Sequence, residues 1–437
     1  MRIAKPKIIV FAWDAATWDV INPLLQQKRL PNLQKLIDTG ASGPLHTFEP
    51  TKTPVIWSDI VTGKNPMQHG IYEFSRLYHI PGVPEEIPVT SMSRVVPIAK
   101  RFGWCKLIPN QQPDRRVKAI WNIAGDNGKT VGVINMWETY PAEPVAGFMV
   151  SSHFLDMIAS NTTKIVYPGS IYTTIRSLVP TTKLIDTEDL IPFIPALKEN
   201  PALHLPQTNL DKEIQDYIVN VAYRPDKSVE HIGKVLYQQY HPDLFLVYFE
   251  GGDIVGHKTW KYYQPQDFWN VSRERARLYG QVIPSYYEYL DSVLGFYINQ
   301  MDENTILLVL SDHGMESISA VAEKLHSWVG PHISAEHENA PNGIIIVAGK
   351  GVIPKTKLTN ATVFDITPTI LWLFGLPVAQ DMDGKVLQSG FNPQYFAPIR
   401  EIPTYEFTKR QKVKSESLPI LNPEMEERLK SLGYIGK

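Results

Sequence analysis

Residues 286–314 read YYEYLDSVLGFYINQMDENTILLVLSDHG. A helical stretch feeds a short, continuously apolar run, TILLVLS, that stops at Asp312-His313 before a glycine. Such a run is the signature of a strand buried on both faces, and a helix before it implies a crossover connection. The same order recurs along the chain. KSVEHIGKVLYQQYHPDLFLVYFEGGD (227–253) is a helix feeding the strand DLFLVYF, and KAIWNIAGDNGKTVGVINMW (118–137) is a helix, a Gly-containing turn and the strand TVGVINM. KIIVFAW (7–13) is a strand that ends at Asp14, with helical periodicity over NPLLQQKRLPNLQKLIDTG (22–40), and GIIIVAG (343–349) is a further buried strand. The fold class predicted is α/β, with a mainly parallel central sheet sandwiched by helices. In such sheets ligands bind beyond the carboxyl ends of the strands, so the polar residues just after the strands are the ones to weigh.

Two stretches, 76–116 and 151–230, break this rhythm. They are rich in Pro, Thr and polar residues, and read as an inserted cap or lid over a catalytic core made of 1–75, 117–150 and 231–437. The segment 390–437 carries many Pro and charged residues and ends in the short helical stretch EMEERLKSLGY. The 437 residues allow up to three domains, or one large α/β unit with insertions.

Composition narrows the function. Hydrophobic residues are 43% and charged residues 20%, an ordinary globular balance, and a net charge of −2 gives no footprint for phosphate-backbone binding, so no nucleic-acid partner is expected. The lone Cys105 excludes an intramolecular disulfide and a thiolate-based zinc site, and reads as structural. No run approaches the roughly 18 apolar residues of a membrane span, and the N-terminal apolar run ends at Asp14 without a cleavage motif. The expectation is a soluble, cytoplasmic protein.

Three strands end in acidic or imidazole groups: Asp14; Asp253 with His257 four residues on, in DIVGH; and Asp312-His313. Carboxylates and imidazoles gathered at one edge of a parallel sheet make an N/O metal site. Asp253 and His257 would share one helix face, although an N-cap Asp followed by a surface His fits the same spacing. Thr53 precedes a Pro and an apolar run that reads as the first turn of a helix. A hydroxyl there is either an N-cap or a nucleophile flanked by free N–H groups and the helix dipole, and in the second case it needs an activating base or metal.

The ordered motifs DAATWDVINPLL, RLPNLQKLIDTGASGPLHT, TPVIWSDIVTGKNPMQHGI, DIVGH, SDHGM and FDITPTILWLFGLPVAQDMDGKVL together resemble the alkaline phosphatase superfamily. They are most similar to its type I phosphodiesterase/nucleotide pyrophosphatase branch. The resemblance covers most of the chain outside the two insertions. It implies that Thr53 is the nucleophile and forms a phospho-threonine intermediate. Asp14, Asp312 and His313 would hold one divalent ion with Thr53, and Asp253, His257 and a last His the second. His337 is chosen for that last place over His332 and His326, and His69 is read as structural.

The ions implied are Zn²⁺ first, with Mn²⁺ or Fe²⁺ fitting the same donors. The function implied is hydrolysis of a small phosphate mono- or diester. A phosphomutase or phosphotransferase using the same nucleophile, and a catalytically silent binding protein, are the alternatives. Ala15 stands where the family commonly has Gly, which concerns loop geometry. Ile56 stands where nucleotide pyrophosphatases carry an Asn, which argues against that activity, and the absence of a C/S-x-P-x-R motif argues against a sulfatase. Lys258, Trp260, Lys261, Tyr262 and Tyr263 could line a pocket but read first as packing, as do Trp13 and Trp57. Arg115 and Arg116 are candidates for a distal phosphate, with an exposed charge pair as the default.

Overall fold

The computed structural model describes residues 6–49, 51–80, 82, 87–88, 104, 106–180, 184–200, 208–319, 333–337 and 340–407. Its frame is one ten-stranded sheet. The strands are β1 (Lys7–Trp13), β2 (Ala41–His46), β3 (Val131–Ile134), β4 (Gly147–Val150), β5 (Val166–Tyr167), β6 (Leu244–Phe249), β7 (Thr305–Leu310), β8 (Gly343–Gly349), β9 (Thr356–Lys357) and β10 (Ala361–Thr362). In space they run β9-β2-β8-β7-β1-β6-β3-β4-β5, and β10 also pairs with β2. The centre β7-β1-β6-β3-β4 is parallel throughout. β8 is antiparallel to both β7 and β2, and β5 is antiparallel to β4. The mixed α/β class with a mainly parallel sheet between helices is the one the sequence predicts.

The continuous apolar runs follow from burial on both faces. Along β1, Ile9, Phe11 and Trp13 enter one core cluster, and Ile8, Val10 and Ala12 enter the other. The first face is covered by α1 (Trp18–Gln26), α2 (Pro31–Thr39), α5 (Arg224–Tyr240), α6 (Gly251–Tyr263) and α7 (Val282–Asn299). The second is covered by α3 (Thr53–Thr62), α4 (Ile120–Asp126) and α8 (Ile366–Leu373). The stretch expected as one helix over 22–40 is two. Lys28 takes a left-handed φ of 58° after α1, and Pro31 starts α2, a position that proline suits.

Within the stretches read as insertions, Ser75–His79, Ile87–Pro88 and Lys106–Pro109 form a separate three-stranded sheet. The stretch 151–230 contributes β5 to the main sheet, and Phe193, Ile214 and Ile218 to the first core cluster. The C-terminal helical stretch and Cys105 lie outside the described residues. Among the described residues no helix is long and apolar enough to cross a membrane.

Candidate active site

Three adjacent parallel strands deliver the acidic and imidazole groups to one edge. Asp14 follows β1, Asp253 lies in the first turn of α6 just after β6, and Asp312-His313 follow β7. β8 runs the other way, so the segment before it, which carries His337, arrives at the same edge. β2 is antiparallel to β8, and its carboxyl end leads there into α3 and Thr53. Asp14, Thr53, Asp253, His257, Asp312 and His313 are all at most 2% exposed, and His337 is 6% exposed.

Thr53 is the first residue of α3, and the cap position belongs to Lys52, whose side chain makes no cap hydrogen bond. The N-cap reading of Thr53 therefore fails. Its Oγ1 instead lies 3.2 Å from His313 Nε2. The expectation of free helix N–H groups beside it needs correction. Val55 and Ile56 both donate to the Lys52 carbonyl, at 2.9 and 3.0 Å, and Pro54 has no N–H.

His313 Nε2 also lies 3.2 Å from Asp312 Oδ2 and 3.6 Å from Asp14 Oδ1. Its Nδ1 faces the Gly314 carbonyl at 2.9 Å, which accepts the ring N–H and leaves Nε2 as the donor atom to the cluster. His257 repeats that arrangement: Nδ1 is 2.7 Å from the Ala335 carbonyl and Nε2 is 3.3 Å from Asp253 Oδ1. The i, i+4 spacing thus does put both on one buried face, with Asp253 inside the helix and not at its cap. His337 stacks on His313, ring centroids 4.1 Å apart, and meets His257 at 5.4 Å. Thr51 Oγ1 donates to the His337 carbonyl and ties that segment to the loop before Thr53.

Among the described residues, two triads have donor atoms close enough to share an ion: Asp14, Asp312 and His313, and Asp253, His313 and His337. His257 stands beside the second through Asp253. His332 and His326 lie outside the described residues. Burial, then the Asp312 and Asp253 carboxylates, push the Asp14 carboxyl well above its ordinary range. Burial also raises Asp312. Asp253 goes the other way: burial opposes its charge, but His257, His337 and His313 overcome that and hold it below the usual range. Burial and then His313 push His337 down. Asp14 Oδ1 and Asp312 Oδ2 are buried with no hydrogen-bond partner among the described residues. Clustered carboxylates with unspent oxygens, beside buried imidazoles, fit a divalent cation.

The other candidates divide. Lys258 is buried, 2.9 Å from Glu213 and 4.1 Å above the Tyr217 ring, so it packs α6 against the preceding stretch. Trp260 and Tyr262 are core residues, and Trp13 and Trp57 are fully buried. Arg115 is buried against Glu143 at 2.9 Å and stacks over Trp121, so it is not a distal phosphate ligand. Arg116 is exposed and lies against Gly70. His69 is buried in a pair with Asp59 at 2.8 Å. Sequence reasoning missed Tyr248, whose hydroxyl donates to Asp14 Oδ2. The available signal was a phenol inside the apolar run LFLVYF, since a buried tyrosine hydroxyl needs a partner.

A hydroxyl at a helix start, facing a buried Asp/His cluster at the carboxyl edge of an α/β sheet, is the equipment of a phosphoester hydrolase. A family model described as type I phosphodiesterase/nucleotide pyrophosphatase matches residues 8–360, and the chain belongs to that family of phosphoester-cleaving enzymes. Among solved structures, human ectonucleotide pyrophosphatase/phosphodiesterase 5 is similar at 13% identity, over 88% of this chain and 100% of that one, with a TM-score of 0.48. The murine protein of that name, in an inactive form in complex with AMP, is similar at 12% identity, over 85% and 96%, with a TM-score of 0.46. No curated protein matches the chain.

Proposed function

We propose that the protein hydrolyses a small phosphate mono- or diester, with Thr53 as nucleophile, at a site that holds two divalent ions. The observation that carries this reading is the contact of Thr53 Oγ1 with His313 Nε2, 3.2 Å away, inside the Asp14–Asp312 cluster. Asp14, Asp312, His313 and Thr53 would hold one ion, and Asp253, His257 and His337 the other. Bound there, the ions would lower the hydroxyl's pKa and balance charge on the phosphoryl oxygens. The oxygen and imidazole donors suit Zn²⁺, and also Mn²⁺ or Fe²⁺.

The chain's own residues supply the rest. Thr53 Oγ1 attacks phosphorus, the bond to the leaving alcohol breaks, and that oxygen leaves with a proton. Water then cleaves the phospho-threonine ester, which restores the Thr53 hydroxyl and releases phosphate or a monoester. Ile56, one turn along α3 and 1% exposed, presents no amide to the phosphoryl group. That supports a simple ester over a nucleoside pyrophosphate. The stretches 76–116 and 151–230 would select the alcohol. Support comes from Lys258–Glu213, which joins the second stretch to α6 beside the catalytic edge.

The test is turnover of p-nitrophenyl phosphate and bis-p-nitrophenyl phosphate with Zn²⁺ or Mn²⁺, against a chelator. Turnover should need the metal, and Thr53→Ala should lower it by about a thousandfold or more. Full activity in that variant, or activity untouched by the chelator, would refute the reading.

A further inference from the structure

We infer that Tyr248, fixed by Trp137, is a positioning residue that turns Asp14 so that only its Oδ1 faces the ion beside Thr53. The inference rests on the two-metal reading above. Tyr248 lies on β6 opposite Ala12 of β1, and so stands one residue short of the strand end from which Asp14 departs. Its ring is 1% exposed, and Trp57 stands edge-on to it at 5.3 Å and 76°. The hydroxyl has two polar neighbours. Trp137 Nε1 donates to it at 2.9 Å, and it donates to Asp14 Oδ2.

The direction of that relay is set by chemistry. An indole N–H can only donate, so the phenolic oxygen accepts from Trp137 and its proton goes to Asp14. Oδ2 is thereby occupied. Oδ1 is the oxygen that has no hydrogen-bond partner among the described residues and lies 3.6 Å from His313 Nε2. One carboxylate thus has one oxygen tied to the protein and the other left for the cluster. The loop that presents Trp137 is held in an uncommon conformation, since Asn135 and Glu138 on either side have φ of 60° and 56°. Asn takes that region readily, but for Glu138 it is uncommon, and such strain gathers at functional sites. Partners outside the ligand set orient the ligands and tune the ion's affinity.

The experiment is Zn²⁺ titration against a competing fluorescent chelator, on the full chain, for wild type, Tyr248→Phe, Trp137→Phe and the double variant. Wild type should bind two ions. Tyr248→Phe should weaken one of them about 10- to 100-fold and leave the other unchanged. Trp137→Phe should weaken the same ion by less. Because Trp137 acts only through Tyr248, the double variant should bind no more weakly than Tyr248→Phe alone. A merely structural role would affect both ions or give additive losses, and either result overturns the assignment, as does unchanged affinity in Tyr248→Phe. If Tyr248→Phe fails to fold, Trp137→Phe, which keeps an aromatic ring while losing the N–H and part of the indole, carries the same comparison of one ion against the other. A wild type that binds no ion refutes the two-metal reading itself, and the assignment with it; a wild type with two ions beside an unaffected Tyr248→Phe refutes the assignment alone.

Discussion

At Ala15 a single backbone position shapes the site. Its φ is 56°, and its N–H reaches toward Asp312 Oδ1 at 3.5 Å, so the chain turns sharply as soon as Asp14 has been placed. A Cβ in that region costs about 1–2 kcal/mol. This gives the physical reason for the glycine common to the family here, which the sequence could only note as a matter of loop geometry. Ala15→Gly should relieve that strain, while the added freedom of the unfolded chain takes back about 0.4–1 kcal/mol. The expected net gain is about 0.5–1 kcal/mol, read as a higher urea midpoint at unchanged slope. A lower midpoint would mean that the Ala15 methyl packs more than it strains. Much of the site was readable at this scale because its groups come in local pairs: Asp312-His313, Asp253-x-x-x-His257, and Thr53 before Pro54. His337 was not separable from His332, since spacing to the next strand was the only guide. What brings it in is the reversed direction of β8, a tertiary fact. Metal analysis of His337→Gln should show loss of one ion per chain relative to wild type; retention of both would remove it from the ligand set.

Elements carry these residues to the cluster, and α6 shows how tightly. Its first turn is held by Asp226 of α5, which accepts from the N–H groups of Glu250 and Gly251 at 3.2 and 3.1 Å and from the Tyr286 hydroxyl at 2.8 Å. The backbone comes so close that a Cβ on Gly251 would stand 1.8 Å from the Tyr286 hydroxyl and 2.6 Å from Asp226 Oδ2. Gly251→Ala must therefore shift α6 or expel Tyr286, at a cost of about 1–3 kcal/mol. Because Asp253 is two residues further on, metal affinity should fall with it. A thermal midpoint equal to wild type would contradict this packing. The strands of the sheet's centre were legible as continuous apolar runs. β2 was not, because Gly43 and Pro44 argue against a strand, and its place comes from pairing with β8, Pro44 opposite Ile344. That β8 is antiparallel was equally hidden, since an apolar run reports burial and not direction.

For the whole molecule, buried ionisable groups outside the cluster couple the fold to pH. His69 Nδ1 accepts the Ile71 N–H at 3.1 Å, so Nε2 carries the ring proton and donates to Asp59 Oδ1 at 2.8 Å. This fastens α3, which bears Thr53, to the turn that follows it. A second proton on the ring would have to displace the Ile71 amide, and burial, then Arg115 and Arg116, hold His69 down at about 3. Burial, then the Asp383 carboxylate, push Asp59 up to about 9. The two contributions have opposite signs. His69, depressed from 6.5, contributes stability above that pH and loses it as pH falls toward about 3. Asp59, raised from 3.8, contributes fully below that value and loses its contribution as pH climbs through about 9. Asp59→Asn keeps an oxygen for His69 and has no proton to lose, while the His69 contribution is common to both proteins and cancels in the difference. The thermal midpoint of Asp59→Asn, relative to wild type, should therefore rise steadily as pH goes from 3.8 to about 9. A difference that stays flat across that window would mean that Asp59 is already ionised in the folded protein, accepting from a neutral His69.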